Sequence, residues 1–350
     1  MTTEPTFHEG RGLLRPRPVS LVVLATLLIL ILLIAPDVFL VIFAGLLFGV
    51  FFSGGGSWIA DRTGIGRGWG IGLFILLVVL ALTGIMLAFA PLVVDQFEKL
   101  SQQVPEAFDQ VRDRLEEYSW GEKLLERITP GALMDGGGGT AAGAVSATFG
   151  ALGNFVIMLF IGLYVALAPQ TYRKGLLALL APSLRTDGAA ILDKAAATLG
   201  NWLVAQLMAM TIVGVLTWLG LWLIGVPLAP ILGLIAALLA FIPNIGPIIA
   251  AVPAVLLGLS EGTSTALMVV GVYVAVQTLE SYVITPLIQQ ERVSLPPALI
   301  ISSQLLMGIL FGLLGLALAT PLAALCLTLV TETYVRRYLD RENDPGLKGL

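Results

Sequence analysis

Residues 227–260 read PLAPILGLIAALLAFIPNIGPIIAAVPAVLLGLS, a long apolar run with Pro243-Asn244-Ile245-Gly246-Pro247 at its middle. Each proline lacks an N–H and its ring crowds the preceding turn, so one continuous helix does not pass through these five residues. Among lipid tails, freed backbone is tolerated only where it is buried in protein or lines a cavity. A broken apolar segment therefore points to a transport pathway rather than to a simple anchor.

The rest of the chain agrees with a membrane setting. Of 350 residues, 57% are hydrophobic and only 12% charged, with mean hydropathy +0.94. Soluble domains carry about 25% charged residues. The chain reads as an all-α, polytopic integral membrane protein whose constant partner is the lipid bilayer. A net charge of −4 with no basic stripe argues against nucleic acid. Cys326 is the only cysteine and His8 the only histidine, and His8 lies in the polar N-terminal tail. Intrachain disulfides, histidine catalysis, metal clusters and cofactors are therefore not expected. Hydrolase and nucleotide-binding motifs are missing as well, so the chain reads as a non-enzyme.

A span needs about 20 apolar residues. Candidates are 19–36, 38–53, 71–94, 150–169, 202–225 and 263–288, plus the longer stretches 227–260 and 298–333, about eight segments in all. Arg11, Arg15 and Arg17 before the first run, with no small-residue cleavage site after it, read as a retained signal anchor. The Gly54-Gly55-Gly56 tract and the Arg62/Arg67 loop are read as connectors. Either long stretch crosses once or folds back as a re-entrant hairpin, turning at Asn244–Gly246 and near Phe311–Gly315. Helices of that length would extend about 50 Å against a hydrocarbon core of about 30 Å, which favours hairpins.

The divisions are 1–18 (tail), 19–94 (N-terminal spans), 95–149 (extramembrane), 150–338 (core transport region) and 339–350 (tail). Residues 95–140 hold ten acidic residues against five basic ones. Val104, Phe108, Val111, Leu115 and Tyr118 recur at helical spacing, so this stretch reads as an amphipathic helical hairpin covering the membrane portion, or as an arm for a neighbouring subunit. Gly136–Gly139 is a linker at its end. Arginines and lysines in the termini and in 170–200 fall on one side, which the positive-inside rule makes cytoplasmic.

Ionisable residues are scarce in the core. Between Gln206 and Thr331 only Glu261, Glu280, Glu291 and Arg292 are charged, and Glu280 alone lies within an apolar span. Charges at that depth are expensive and default to function. Tyr273, Gln277 and Glu280 share one helical face. That face reads as a site for solute, with Glu280 binding a coupling cation or proton; a structural interhelical hydrogen bond is the plainer reading. At Pro243, Asn244, Gly246 and Pro247, exposed half-helix ends and the Asn244 amide would bind a small polar solute. Gly308, Gly312 and Gly315, with Pro321, form a small-residue face for packing rather than for a hinge. Thr285-Pro286 and Pro296-Pro297 read as helix stops.

The stretch IGVPLAPILGLIAALLAFIPNIGPIIAAVPAVL, then QTLESYVITPLI and GILFGLLGLALATPLAA, resembles the AI-2E family of bacterial permeases in content and order, and APLVVDQFEKLSQQVP resembles the family's segment after the third span. The resemblance covers Ile71 to Tyr338. It implies an inner-membrane transporter of eight spans, or of six spans plus hairpins. Family members are associated with export of the quorum-sensing signal autoinducer-2, and some with sodium/proton antiport. Its Pro-x-x-Gly-Pro motif falls on Pro243, Gly246 and Pro247, its Gln-x-x-Glu on Gln277 and Glu280, and its glycine-rich ending on Gly308, Gly312, Gly315 and Pro321. Asn244 departs from the tyrosine many relatives carry there. A passive channel or a non-transporting membrane scaffold is the rival of another class. Self-association into a homo-oligomer is compatible with the acidic excursion.

Overall fold

The computed structural model describes residues 35–116, 141–289 and 295–334, together with Thr26 and Leu30. Most of the signal anchor, the Gly136–Gly139 linker, Tyr118 and both tails lie outside the described residues. Every regular element among the described residues is helical. Five helical stretches are long and apolar enough to cross a bilayer, with Leu152–Leu167 and Pro169–Ala178 a further pair bent by 89°.

The first described helix, α1 (Pro36–Thr63), opens with proline at N1, where no N–H is needed. It closes on Gly64, whose φ of 73° and N–H bond to Ala60 O end the helix in the left-handed conformation. The expected turn at Gly54–Gly56 lies inside α1 instead. A Cβ on Gly55 would sit 2.2 Å from the Phe74 ring, and one on Gly56 2.4 Å from Ile71 Cγ1. These glycines therefore serve close packing against the next helix, α2 (Arg67–Glu116), and the reversal falls at 64–66. A similar approach joins α1 to α3 (Ala141–Leu167). Cβ atoms on Gly45, Gly49 and Gly162 would come within 2.6, 2.9 and 2.5 Å of Ile161, Val165 and Phe48. This small-residue seam is the kind that lets membrane helices touch.

The amphipathic stretch from residue 95 is not a separate unit as far as Glu116. It is the second half of α2, whose 50 residues extend about 75 Å. After α3 the chain bends into the short α4 (Pro169–Ala178), which buries no residue and runs at 89° to α3, the attitude of a helix on the membrane surface. Next comes α5 (Arg185–Leu223), then α6 (Ala229–Leu239) and α7 (Ile245–Glu261). The chain continues with α8 (Thr263–Leu279), a π-helical turn Glu280–Ile284, α9 (Thr285–Gln289) and α10 (Pro297–Val330).

Both long apolar stretches fold back. With 11 and 17 residues, α6 and α7 reach about 16 and 25 Å, short of a 30 Å core. They pack together so closely that a Cβ on Gly246 would sit 1.8 Å from Leu239 O. Although α10 is long enough to cross, Gly312 has φ 60° and ψ −143°, outside any helix. Beyond it, a Cβ on Gly315 would lie 2.2 Å from Met307 O. Eight residues of straight helix span about 12 Å, so the chain reverses at Gly312. We call α6–α7 the first hairpin and the arms of α10 the second. Thr263–Leu287, long and apolar enough to cross a bilayer, lies between them in the chain, and a crossing there brings the hairpins in from opposite faces of the membrane.

Each hairpin has its own core. Leu221, Val226, Ile231, Leu232, Leu257 and Val269 enclose the first, joined by Leu100 from the far half of α2. Leu40, Phe43 and Leu47 of α1 with Leu199 of α5 hold the second through Met307 and Leu318.

Candidate functional site

The break in the first hairpin is a tight turn. Phe241 and Ile242 close the end of α6 through bonds to Leu238 O and Leu239 O. Asn244 then takes φ 65° and ψ −48°, while the Ile245 N–H donates to Pro243 O at 2.8 Å. An i to i+2 bond around a positive φ is a γ-turn of the strained kind. Asn244 is exposed and makes no capping bond. Prolines 243 and 247 remove two donors from the tip, and Pro247 sits in the first turn of α7, where a missing N–H costs nothing.

Two glutamines hold this tip from outside. Gln206 on α5 donates through Nε2 to Ala240 O at 2.7 Å. Gln304 on the second hairpin donates through Nε2 to Pro243 O at 2.8 Å. Trp202 meets the Phe241 ring edge-on at 5.8 Å. Gln304 is 1% exposed, and its Oε1 has no hydrogen-bond partner. Thr320 Oγ1, on the returning arm of the same hairpin, is likewise buried and unpartnered. A buried acceptor without a donor costs about 1–3 kcal/mol, so the open Oε1 is a natural place for a donor to bind.

The polar face expected on α8 divides. Tyr273 is buried and donates its hydroxyl to Ala250 O of α7 at 3.0 Å, tying α8 to the first hairpin. Gln277 donates to the Glu280 carboxylate and to Ser281 Oγ. Glu280 is half-buried at the start of the π-helical turn. The Thr285 N–H donates five residues back to Glu280 O. Pro286 explains the widening, because it has no N–H for the ordinary bond to Tyr282. Thus Thr285-Pro286 does not stop the helix; it becomes a π turn and continues to Gln289. Such turns are frequent at functional positions. The polar partners of the tip are Gln206 and Gln304, whereas Glu280 is partnered from its own helix.

The glycine face of the second hairpin also differs from expectation. A Cβ on Gly308 would meet only Leu316 Cδ1 at 3.4 Å, and one on Gly312 nothing within 4 Å. Gly312 is the turn itself, and Gly315 permits the arms to close. Pro321 is fully buried in the returning arm. Gln206 and Gln304 escape a search for charge, yet uncharged amides in apolar spans are a signal in their own right, because they bond across helices.

The far half of α2 caps the first hairpin. Gln96 Oε1 accepts from the Ile231 N–H at 3.1 Å, one of the donors left open in the first turn of α6. Leu100 and Val104 pack into the same core.

This fold defines a multi-pass helical membrane protein built around two opposed re-entrant hairpins. A family profile described as AI-2E family transporter matches residues 21–335. The chain belongs to that family of membrane transporters. It is 32% identical to YrrI of Bacillus subtilis (strain 168) over 189 residues, 53% of this chain and 54% of that protein. It is 25% identical to YhhT of Escherichia coli (strain K12) over 306 residues, 83% of this chain and 84% of that protein. A segment of 148 residues, 42% of this chain, is 28% identical to 43% of the AI-2 transport protein TqsA of Escherichia coli (strain K12). The match with YrrI spans about half the length of that relative.

Proposed function

We propose that the chain is a secondary transporter passing a small polar solute between the two hairpin tips. The observation that carries this reading is the partly buried bond from Gln304 Nε2 to Pro243 O, which joins the second hairpin to the tip of the first. Parting it on one side and then the other would give alternating access. Beside this bond lies one open acceptor, Gln304 Oε1, with the Asn244 side chain exposed at the tip, and the apolar spans from Gln206 to Gln290 contain no lysine or arginine. Acceptors without positive charge select hydroxyl donors or a cation over an anion. Autoinducer-2, named in one relative, is the first solute to try, in the direction of export. Glu280, oriented by Gln277 and placed by the π turn, binds the coupling proton or sodium ion. Tyr273 serves this site by holding α8 to α7. A monovalent cation/proton antiporter is the second reading, favoured by one open acceptor and one carboxylate in spans that carry no basic residue. Positive-inside bias places both termini in the cytoplasm of a bacterium, with the chain in its inner membrane.

Flux in proteoliposomes, with and without proton and sodium gradients, tests the assignment. Gln304→Leu should lower flux about tenfold, matching a hydrogen bond of roughly 1.4 kcal/mol. Glu280→Gln should leave downhill flux and abolish its dependence on the gradient. Unchanged flux in the first variant would remove the tip contact from the pathway, and unchanged coupling in the second would remove Glu280. Uphill accumulation by the wild type excludes a passive channel.

A further inference from the structure

A cavity of about 1020 Å³, lined by no residue of either hairpin, lies between α1, α2, α3 and the middle of α5. Its wall is aliphatic and aromatic, including Phe51, Phe74, Leu203 and Ile212. Three polar side chains line it, and each is engaged. Ser53 Oγ accepts from Arg67 at 2.6 Å, Thr211 donates back to Leu207 O at 2.8 Å, and Asn201 also has a partner. Small-molecule pockets run from about 300 to 1,000 Å³ and hold a few convergent polar groups. This one is at the upper limit of size and offers a polar solute nothing, so it is not a second solute site.

One end of the cavity is cationic. Arg67 is bonded to the lining Ser53, and the Arg62 guanidinium lies 4.6 Å over the ring of Trp58, another lining residue. Neither arginine forms a salt bridge among the described residues. The elbow residue Pro169 lines the same cavity, and α4, which carries Arg173 and Lys174, turns there at 89° to α3. With α4 lying on the membrane surface, that surface is level with the end of the cavity that carries the two arginines. An apolar hollow inside the hydrocarbon layer, capped at headgroup depth by two guanidinium groups, matches a molecule with apolar chains and an anionic head.

We propose that this cavity binds an anionic diacyl phospholipid, with an acyl chain along Phe51, Phe74 and α5 and its phosphate between Arg62 and Arg67. The lipid would then fill the gap between α5, which holds the first hairpin through Gln206, and the α1–α3 unit.

The full-length protein in nanodiscs, with brominated phosphatidylglycerol or brominated phosphatidylcholine at equal mole fraction, tests this. Trp58 emission is isolated by difference from Trp58→Phe. Phosphatidylglycerol should quench Trp58 several-fold more strongly than phosphatidylcholine. The double variant Arg62→Gln/Arg67→Gln should erase that preference, and native mass spectrometry should show one retained phosphatidylglycerol lost. Gly54 lines the cavity, and a Cβ there meets no atom within 4 Å. Gly54→Phe should therefore fold normally and reduce quenching by both lipids, which keeps the idea testable if the arginine variant fails to fold. Equal quenching by the two lipids in the wild type overturns the proposal. A preference that survives loss of both arginines does the same. Protection of Trp58 from both lipids would also overturn it, giving the cavity to another occupant such as a second copy of the chain.

Discussion

Asn244, at the tip of the first hairpin, holds φ 65° on a residue that carries a side chain, as Leu228 does at its entry with φ 59°. A γ-turn with positive φ is strained for any residue that carries a Cβ, by about 1–3 kcal/mol, and least for glycine. Asn244→Gly should therefore keep the turn and its thermal stability while removing the amide, whereas Asn244→Ala should lower stability by about 1 kcal/mol. If flux falls in the stable glycine variant, the amide itself contacts the solute; if flux is unchanged, Asn244 serves only the turn. Gly312 presents the purest backbone case, because φ 60° with ψ −143° lies where only glycine is at ease. Gly312→Ala should cost about 1–3 kcal/mol from strain alone, while Gly308→Ala, with room for its methyl, should be near neutral. Thermal unfolding in one detergent decides this, and equal midpoints would mean that Gly312 is not a turn. The prolines and glycines at these tips were legible as breaks from side-chain chemistry alone. Which of three glycines turned the second hairpin was not, because spacing does not reveal a dihedral angle.

Elements differ from their sequence signals wherever a neighbour supplies what the local chain lacks. Gly54–Gly56 carries every local mark of a turn, yet Phe74 and Ile71 of α2 reward a continuous helix there. The acidic stretch after residue 95 has an amphipathic period of its own, and Leu100 and Val104 at its start pack on the first hairpin. Pro286 should end a helix, but widening to a π turn removes the need for its missing N–H. Pro286→Ala restores that donor and lets the turn tighten, which rotates Glu280 relative to α9 by about 100° for each residue of register. Stability should hold or rise while gradient-coupled flux falls. Parallel flux and melting measurements check both, and full coupling with an unaltered midpoint would make the turn incidental.

At the level of the whole molecule, the opposed hairpins are the arrangement on which the proposed transport depends. Glu261 at the mouth of the first and Ala298 at the mouth of the second are both exposed. In a Cys326→Ser background, Glu261→Cys and Ala298→Cys should react with a membrane-impermeant thiol reagent from opposite sides, the first from outside and the second from the cytoplasm. Labelling of both from one side would break the two-hairpin arrangement, since α8 would then not cross between them.

Composition and hydropathy by themselves determined an all-helical membrane protein with two interrupted apolar stretches, and motif order placed it within a transporter family. Those properties follow from solvent chemistry, because hydrocarbon rejects charge and unpaired backbone wherever they fall. Length also favoured folding back over crossing. Only the tertiary structure decided what meets the broken tip: Gln304, 61 positions away, rather than the nearer Glu280. Partners across helices are fixed by crossing geometry and glycine contacts, which no periodicity along one strand of sequence records.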